Sequence, residues 1–159
     1  MTWRGSCTGS VLMASQVAAA LAMTIARTEP YSAILGFSSD IVDLGINDKT
    51  SLPAAINKVQ SRSFGSTNPG ALVRYAMKKN IDVDTFVVIS DGEANTGQPV
   101  DGVLREYRQK TGINARLATL DTANNGYRLS DPADPLHMGF VGFDSSTPAM
   151  LANFSKGLV

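Results

Sequence analysis

Apolar residues along the chain follow two spacings, and these spacings predict helices and strands in turn. From Met13 to Ile25 an apolar residue recurs every fourth position, which predicts a helix from about residue 11 to residue 28. Pro30 is expected to end this helix. By contrast, residues 84–90 begin with a short, nearly unbroken apolar run rich in β-branched side chains, which predicts a strand buried on both faces of a parallel sheet.

The remaining segments of the chain also alternate between predicted strands and predicted helices. Strands are predicted at 32–38, 41–46 (as a hairpin partner of the first), 115–120 and 139–143. Helices are predicted at 52–59 with a Ser51 cap, at 70–77 after Pro69, at 100–111 and at 148–158. Helices alternating with parallel strands predict an α/β fold with an open, doubly wound, mainly parallel sheet and helices on both faces. We expect a single domain over residues 1–159.

Composition narrows the class of protein. Hydrophobic residues make up 43% and charged residues 18% of the 159 residues, as in globular domains. The 14 basic and 14 acidic residues cancel, so no overall field attracts nucleic acid or an anionic membrane. Arg105, Arg108 and Lys110 have helical spacing and are expected to form a solvated helix face.

The N-terminal apolar stretch and the cysteine content bear on location. Polar residues interrupt the apolar stretch, so we expect a packed helix and neither a signal peptide nor a membrane span. The one cysteine, Cys7, cannot form an internal disulfide. This fits a reducing compartment, and we expect the cytoplasm.

Several segments resemble catalytic or metal-binding motifs but lack residues that those motifs require. The Gly-rich segment 5–10 lacks the lysine of a phosphate loop, and segment 91–102 lacks the glycine and final acid of a calcium loop. The acids at 82 and 84 precede their strand, which is the wrong end for a phosphatase nucleophile. His137 has no second histidine, so a loop histidine is expected. We therefore expect no enzymatic activity.

Thr67 and Asp91 form the combination that remains. Thr67 precedes a predicted helix, and Asp91 directly follows the buried strand. In a parallel sheet both positions lie along the carboxyl edge, where ligands bind. A hydroxyl and a carboxylate suit a hard cation such as Mg²⁺ or Mn²⁺, which keeps several waters. A turn aspartate before Gly92 is the alternative role for Asp91.

The same residues resemble a known family. Phe86–Gly92, preceded by Gly65–Asn68, resembles the third and second motifs of a von Willebrand factor type A domain, and most closely the domain of Ro/TROVE RNA-binding proteins. Further stretches match in order, at 17–29, 104–108, 124–127, 130–134 and 142–144. The resemblance implies a metal-ion-dependent adhesion site in which Thr67 binds the cation and Asp91 engages it through water.

The departures from the family pattern concern the start of the fold. The family's first motif, Asp-x-Ser-x-Ser, ends a central first strand, and Met1 aligns just after that motif. The resemblance therefore implies that the first strand and three metal ligands are missing, which would weaken or abolish Mg²⁺ or Mn²⁺ binding. Neighbouring strands lie about 4.8 Å apart, so the omission would leave a slot of about 9.6 Å between the strands at 32–38 and 84–90.

Three functions are compatible with the sequence. The resemblance favours a non-enzymatic domain that binds a protein or another carboxylate-bearing ligand through the cation at Thr67 and Asp91. The alternative is an RNA-binding component of a Ro-type ribonucleoprotein, although the family's RNA-binding helical-repeat module is not in this sequence. A metal-dependent phosphohydrolase using Asp91 is disfavoured, because a nucleophile, a second carboxylate cluster and a phosphate-binding lysine are lacking.

Overall fold

A computed structural model describes residues 6–8, 11–37, 40–61, 68–90, 99–124 and 129–159. The helices in these ranges are α1 (Ala14–Thr28), α2 (Leu52–Gln60), α3 (Gly70–Lys79), α4 (Val100–Thr111) and α5 (Thr147–Ser155). The strands are β1 (Leu35–Phe37), β2 (Ile41–Asp43), β3 (Thr85–Ser90), β4 (Arg116–Asp121) and β5 (His137–Val141). The element order confirms the predicted α/β class.

Two separate sheets carry the described strands. The larger sheet has the order β3-β4-β5, and both of its pairings are parallel. In register, Phe86 of β3 faces Leu117 of β4, and Leu117 in turn faces His137 of β5. The smaller sheet is the predicted hairpin, in which β1 and β2 are antiparallel. Among the described residues, no strand pairing joins β1 to β3.

Helices cover both faces of the larger sheet, as predicted. On one face, Phe86 and Val88 of β3 and Leu117 of β4 pack against α3 and α4 in a shared hydrophobic cluster. On the other face, Leu120 packs against α1, while Ala118 packs against α5. This two-sided burial accounts for the nearly continuous apolar sequence of β3 and β4.

Local chemistry sets the ends of several helices. Ser51 Oγ accepts a hydrogen bond from the Ala54 N–H at 3.4 Å, which confirms the predicted cap of α2. Glu29 has the extended conformation favoured before Pro30, and α1 ends at the preceding residue as expected. Gly112 ends α4 with a φ of 74°, a left-handed conformation that glycine adopts without strain.

The predicted start of α1 at residue 11 is wrong by three residues. The Met13 backbone is extended, and its N–H donates to Gln16 Oε1 at 2.9 Å. Met13 also forms an isolated antiparallel bridge with Ser6. These contacts hold Met13 outside the helix, so α1 begins at Ala14. The strands of the hairpin are likewise shorter than predicted.

No helix among the described residues has the length and apolar character that crossing a bilayer requires.

Candidate functional site

The two residues predicted to bind a cation both lie outside the described residues. Asp91 follows Ser90, the last residue of β3, and Thr67 precedes Asn68, two positions before α3 begins. Their pairing therefore stays a prediction. Their described neighbours define the chemistry of the surroundings.

Oxygen atoms are concentrated at the carboxyl edge of the larger sheet. Ser90, Asp121 and Thr122 occupy the ends of β3 and β4, and all three are buried. Ser90 Oγ donates to Asp121 Oδ1 at 3.4 Å, and Thr122 Oγ1 donates to the Ser90 carbonyl at 3.0 Å. The hydroxyls and the carboxylate thus lie directly beside the position where the chain continues to Asp91.

The segment at residues 6–8 lies across the same edge. The Thr8 N–H donates to the Thr122 carbonyl at 2.8 Å, and the Phe143 N–H donates to the Thr8 carbonyl at 3.2 Å. Gly142 has a φ of 78°, and a Cβ there would collide with the Thr8 carbonyl. A glycine is thus required for this segment to approach the end of β5.

The donor atoms at this edge suit a hard cation. They are hydroxyl, carboxylate and carbonyl oxygens, the ligand types that Mg²⁺ and Mn²⁺ prefer. The nearby Cys7 thiol is buried, and this burial raises the pKa of Cys7, so a thiolate ligand is disfavoured. Within the described ranges, no group of three or more His, Cys, Asp and Glu side chains could hold a metal ion by itself.

Asp121 is a residue that the sequence interpretation missed. The signal that identified Asp91, an acid at the carboxyl end of a buried strand, applies equally to Asp121. The sequence pattern predicts a strand that ends at residue 120, one position before this acid, so the strand end does not single out Asp121. The parallel pairing of β3 and β4 places Ser90 opposite Asp121, which brings this acid to the same edge.

A second polar cluster lies at the opposite, amino edge of the sheet. Arg108 Nη1 of α4 is 2.5 Å from Asp134 Oδ2, and the Arg108 Nε–H donates to the Ala115 carbonyl at 2.9 Å. His137 at the start of β5 has a side chain only 1% exposed. The predicted loop histidine is therefore wrong, because His137 belongs to β5 and its buried ring accepts a hydrogen bond from the Asp131 N–H. The prediction that Arg108 lies on a solvated helix face is also wrong, because its side chain is only 15% exposed and pairs with Asp134.

The protonation state of His137 follows from its neighbours. The ring Nδ1 accepts a hydrogen bond from the Asp131 N–H at 3.0 Å, so a neutral ring carries its proton on Nε2. Nε2 lies 3.2 Å from Asp134 Oδ2, but outside hydrogen-bond geometry. Burial lowers the pKa of His137 more than the Asp134 carboxylate raises it. The neutral ring is therefore the favoured form in the folded chain.

The Asp134 carboxylate is stabilised in its charged form. Burial alone would raise the pKa of Asp134, but hydrogen bonds from Arg108 and from the Leu136 N–H outweigh that effect and lower it. The cluster thus contains its own cation and its own anion. Removing either partner would therefore leave the other charge partly buried and uncompensated.

Tyr107 completes the amino edge. Its ring is fully buried and makes an edge-to-face contact with Phe86, with centroids 5.3 Å apart. Its hydroxyl donates to the Ile81 carbonyl at 2.9 Å and accepts from the Val83 N–H at 2.7 Å. The residue therefore ties α4 to the segment that leads into β3.

A family model and several relatives match nearly the whole chain. The model described as the Ro60 vWA domain matches residues 1–155. A protein of Deinococcus radiodurans called RNA-binding protein RO60 is 34% identical over 149 residues, which cover 93% of this chain and 28% of that protein. The Caenorhabditis elegans protein of the same name is 22% identical over 94% of this chain and 24% of its own length. The chain thus spans about a quarter of the length of these relatives.

Solved structures agree with the sequence relatives. The crystal structure of the Deinococcus radiodurans RO (RSR) protein has a TM-score of 0.90 and 32% identity, and the match covers 100% of this chain and 33% of that one. Manganese-loaded TRAP protein from Plasmodium vivax has a TM-score of 0.58 at 15% identity, covering 97% of this chain and 69% of that one. The second similarity concerns the fold alone.

Proposed function

Because the chain belongs to the Ro60 vWA domain family, we propose that it binds a protein or another carboxylate-bearing ligand at the carboxyl edge of its larger sheet. Binding would use a divalent cation, Mg²⁺ or Mn²⁺, held by Thr67 and, through water, by Asp91. The chain's own side chains would fix the position of the cation, and the partner's carboxylate would complete its coordination. The affinity for the cation alone is expected to be weak, because two side chains supply few ligands.

The concentration of buried oxygens next to Asp91 is the observation that supports this proposal most. Ser90 and Asp121 are buried side by side, and Asp91 follows Ser90 in the chain. Hydroxyl and carboxylate oxygens are the ligand types that a hard cation prefers. At the amino edge, the acid Asp134 is paired with the guanidinium of Arg108.

Calorimetric titration with Mg²⁺ and Mn²⁺ tests the cation site. The unmodified chain should bind Mn²⁺, whereas Asp91→Ala and Thr67→Ala should each weaken binding by about tenfold or more, since each removes a ligand or its water. Asp84→Asn is the matched control, because Asp84 is an exposed acid at the other end of the same strand and should leave binding unchanged. Micromolar or tighter binding that survives Asp91→Ala would show that the cation binds elsewhere.

The partner is tested separately with an immobilised peptide that contains glutamate. Retention of the chain should require Mg²⁺ or Mn²⁺ and should be lost in a chelator. A matched peptide with glutamine in place of glutamate should not retain the chain. Retention that is unaffected by the chelator would contradict cation-mediated binding.

RNA binding is the second candidate function, and the names of the two RO60 relatives favour it. The net charge of zero gives no general attraction to phosphates, so any RNA contact would need a local basic surface. RNA titration at two salt concentrations tests whether this chain binds RNA. Micromolar affinity with a steep salt dependence would support RNA binding, and absence of retention at low salt would contradict it.

The absence of enzymatic activity and the cytoplasmic location stay predictions. The relatives are named for RNA binding. A broad phosphatase screen with Mg²⁺ or Mn²⁺ present should show no turnover, and turnover lost in Asp91→Ala would overturn the non-enzymatic assignment.

A further inference from the structure

Asp121 lies one strand away from the point at which the chain continues to Asp91. Asp121 and Ser90 face each other in the parallel pairing of β4 with β3, and Asp91 is bonded directly to Ser90. Neighbouring strands lie about 4.8 Å apart and consecutive Cα atoms about 3.8 Å apart, so the Cα atoms of Asp121 and Asp91 are at most about 8.6 Å apart. Chain connectivity therefore makes these two acids neighbours at the carboxyl edge.

The side chain of Asp121 lies on the face of the sheet that α3 and α4 cover. Side chains alternate along a strand, so Asp121 shares its face with Leu117, four positions earlier, and Ser90 shares its face with Phe86. Phe86 and Leu117 belong to the hydrophobic cluster formed with α3 and α4. The helix α3 begins three positions after Thr67. The carboxylate of Asp121 therefore lies on the face of the sheet to which Thr67 is connected.

Hydrogen bonds tie the ends of β3 and β4 together beside this carboxylate. Ser90 Oγ donates to Asp121 Oδ1 at 3.4 Å, and the Thr122 N–H and Oγ1 both donate to the Ser90 carbonyl, at 2.8 and 3.0 Å. Asp121 is only 2% exposed. Its carboxylate thus lies behind the edge, against the residue that precedes Asp91, where it can act on a cation through space without coordinating it.

The charge of Asp121 matters for a cation at this distance. The attraction between two charges is proportional to the product of the charges, and it is stronger near a protein interior than in bulk water. For a divalent ion roughly 8–10 Å from a carboxylate, this attraction corresponds to a change in affinity of about fivefold or more. A hydrogen bond that only shapes the site has no such dependence on the charge of the ion.

We propose that Asp121 is a further acid of the cation site, and that its charge strengthens cation binding from outside the coordination shell. This inference rests on the proposed function, since it requires a cation held by Thr67 and Asp91. It goes beyond that function because it makes the end of β4, as well as the end of β3, part of the site. In this role Asp121 is a positioning residue that contacts neither the cation nor the partner.

Calorimetric titration with Mn²⁺ and with terbium(III) at neutral pH tests the role of this charge. Asp121→Asn keeps the size and an acceptor oxygen of the side chain but removes its charge. The affinity for Mn²⁺ should fall about fivefold and the affinity for terbium(III) about tenfold, because the attraction is proportional to the charge of the ion. Unchanged affinities, or equal losses for the two ions, would overturn the proposal.

Two further variants serve as matched controls. Ser90→Ala removes the hydrogen bond to Asp121 but keeps the charge, so any loss of affinity should be the same for both ions. Asp84→Asn removes the charge of the exposed acid just before β3 and should change neither affinity. If Ser90→Ala gave the unequal losses expected of Asp121→Asn, the charge of Asp121 would not be their cause.

Asp91→Ala, measured in the same titrations, separates this inference from the proposed function. If the unmodified chain binds neither ion, or if Asp91→Ala binds both ions as tightly, the proposed function fails and this inference fails with it. If Asp91→Ala weakens binding and Asp121→Asn does not, only the role of Asp121 is overturned.

A measurement on the unmodified chain decides the question if Asp121→Asn does not fold. In a chain labelled with ¹³C at its aspartate carboxyl groups, Mn²⁺ should strongly broaden the Asp121 signal, since that carboxylate is expected within about 10 Å of the cation. The signal of Asp134, at the opposite edge of the sheet, should stay sharp. An Asp121 signal as sharp as that of Asp134 would contradict the proposal.

Discussion

The two ends of the larger sheet bury polar groups in different ways. At the amino edge, Arg108, Asp134 and His137 join a guanidinium, a carboxylate and an imidazole into one cluster that contains both signs of charge. At the carboxyl edge, Ser90 and Asp121 bring together hydroxyl and carboxylate oxygens. An internally neutralised cluster serves stability, whereas an oxygen-rich cluster next to a further acid suits a cation. Mutations at the amino edge should therefore reduce the stability of the fold, whereas mutations at the carboxyl edge should reduce cation binding.

The largest loss of stability is expected at Tyr107. Tyr107→Ala removes a fully buried ring and its contact with Phe86, and it should reduce the free energy of unfolding by about 3–5 kcal/mol. Tyr107→Phe keeps the ring but leaves the Val83 N–H without its acceptor, at a cost of about 1–3 kcal/mol. Urea denaturation measures both values. A loss under 1 kcal/mol for the alanine variant would contradict the anchoring role.

Arg108→Met should cost about 2 kcal/mol, because it leaves Asp134 and the Ala115 carbonyl without their donor. The cost is below that of a fully buried pair, since the two side chains are 15% and 20% exposed. Arg105→Met is the matched control. Arg105 pairs with Asp101 on the surface with 63% of its side chain exposed, so we expect a change below about 0.5 kcal/mol. Equal losses in the two variants would remove the distinction between structural and surface pairs.

His137 should make stability depend on pH. Its pKa is lowered in the folded chain, whereas the unfolded chain keeps a value near 6.5. Below that pH the unfolded chain binds more protons, so stability should fall as the pH drops through about 6.5, by at most about 1.4 kcal/mol per unit. His137 is the chain's one histidine, so His137→Gln should remove this dependence. Urea midpoints between pH 5 and 8 measure the effect, and a midpoint that rises on acidification would contradict it.

At the carboxyl edge, Asp91→Ala should change the free energy of unfolding by less than about 0.5 kcal/mol in the absence of cations. The reason is that its proposed role concerns the ligand. With Mn²⁺ present, the unmodified chain should gain stability and the variant should not. Thermal unfolding with Mn²⁺ and with chelator measures both. Equal stabilisation of the two proteins by Mn²⁺ would contradict the proposed site.

The sequence predicted those elements whose signals are local. The bounds of α4 agree with the predicted 100–111, and β3 begins within one residue of its predicted start, because an amphipathic period and a continuous apolar run are visible in neighbouring residues. The start of α1 was missed, since it depends on the bridge between Ser6 and Met13.

Contacts distant in sequence explain what could not be predicted at the two edges. Arg108 and Asp134 are separated by 26 residues, and nothing near either position indicates the partner. Ser90 and Asp121 are separated by 31 residues and meet only because β3 and β4 are parallel and in register. The prediction of Thr67 and Asp91 depends on a parallel sheet, whose strands end at a common carboxyl edge. The structure confirms that β3, β4 and β5 are parallel. Thr67 and Asp91 themselves lie outside the described residues.

Paramagnetic broadening by Mn²⁺ in an NMR spectrum tests the difference between the two edges most directly. The edges are about 20 Å apart along the six residues of β3, and broadening falls steeply with distance. Mn²⁺ should broaden the amide signals of Thr8, Thr122 and Gly142 and leave those of Val83 and His137 sharp, and Asp91→Ala should abolish the effect. Broadening centred on Val83 and His137, or unchanged broadening in the variant, would contradict a cation site at the carboxyl edge.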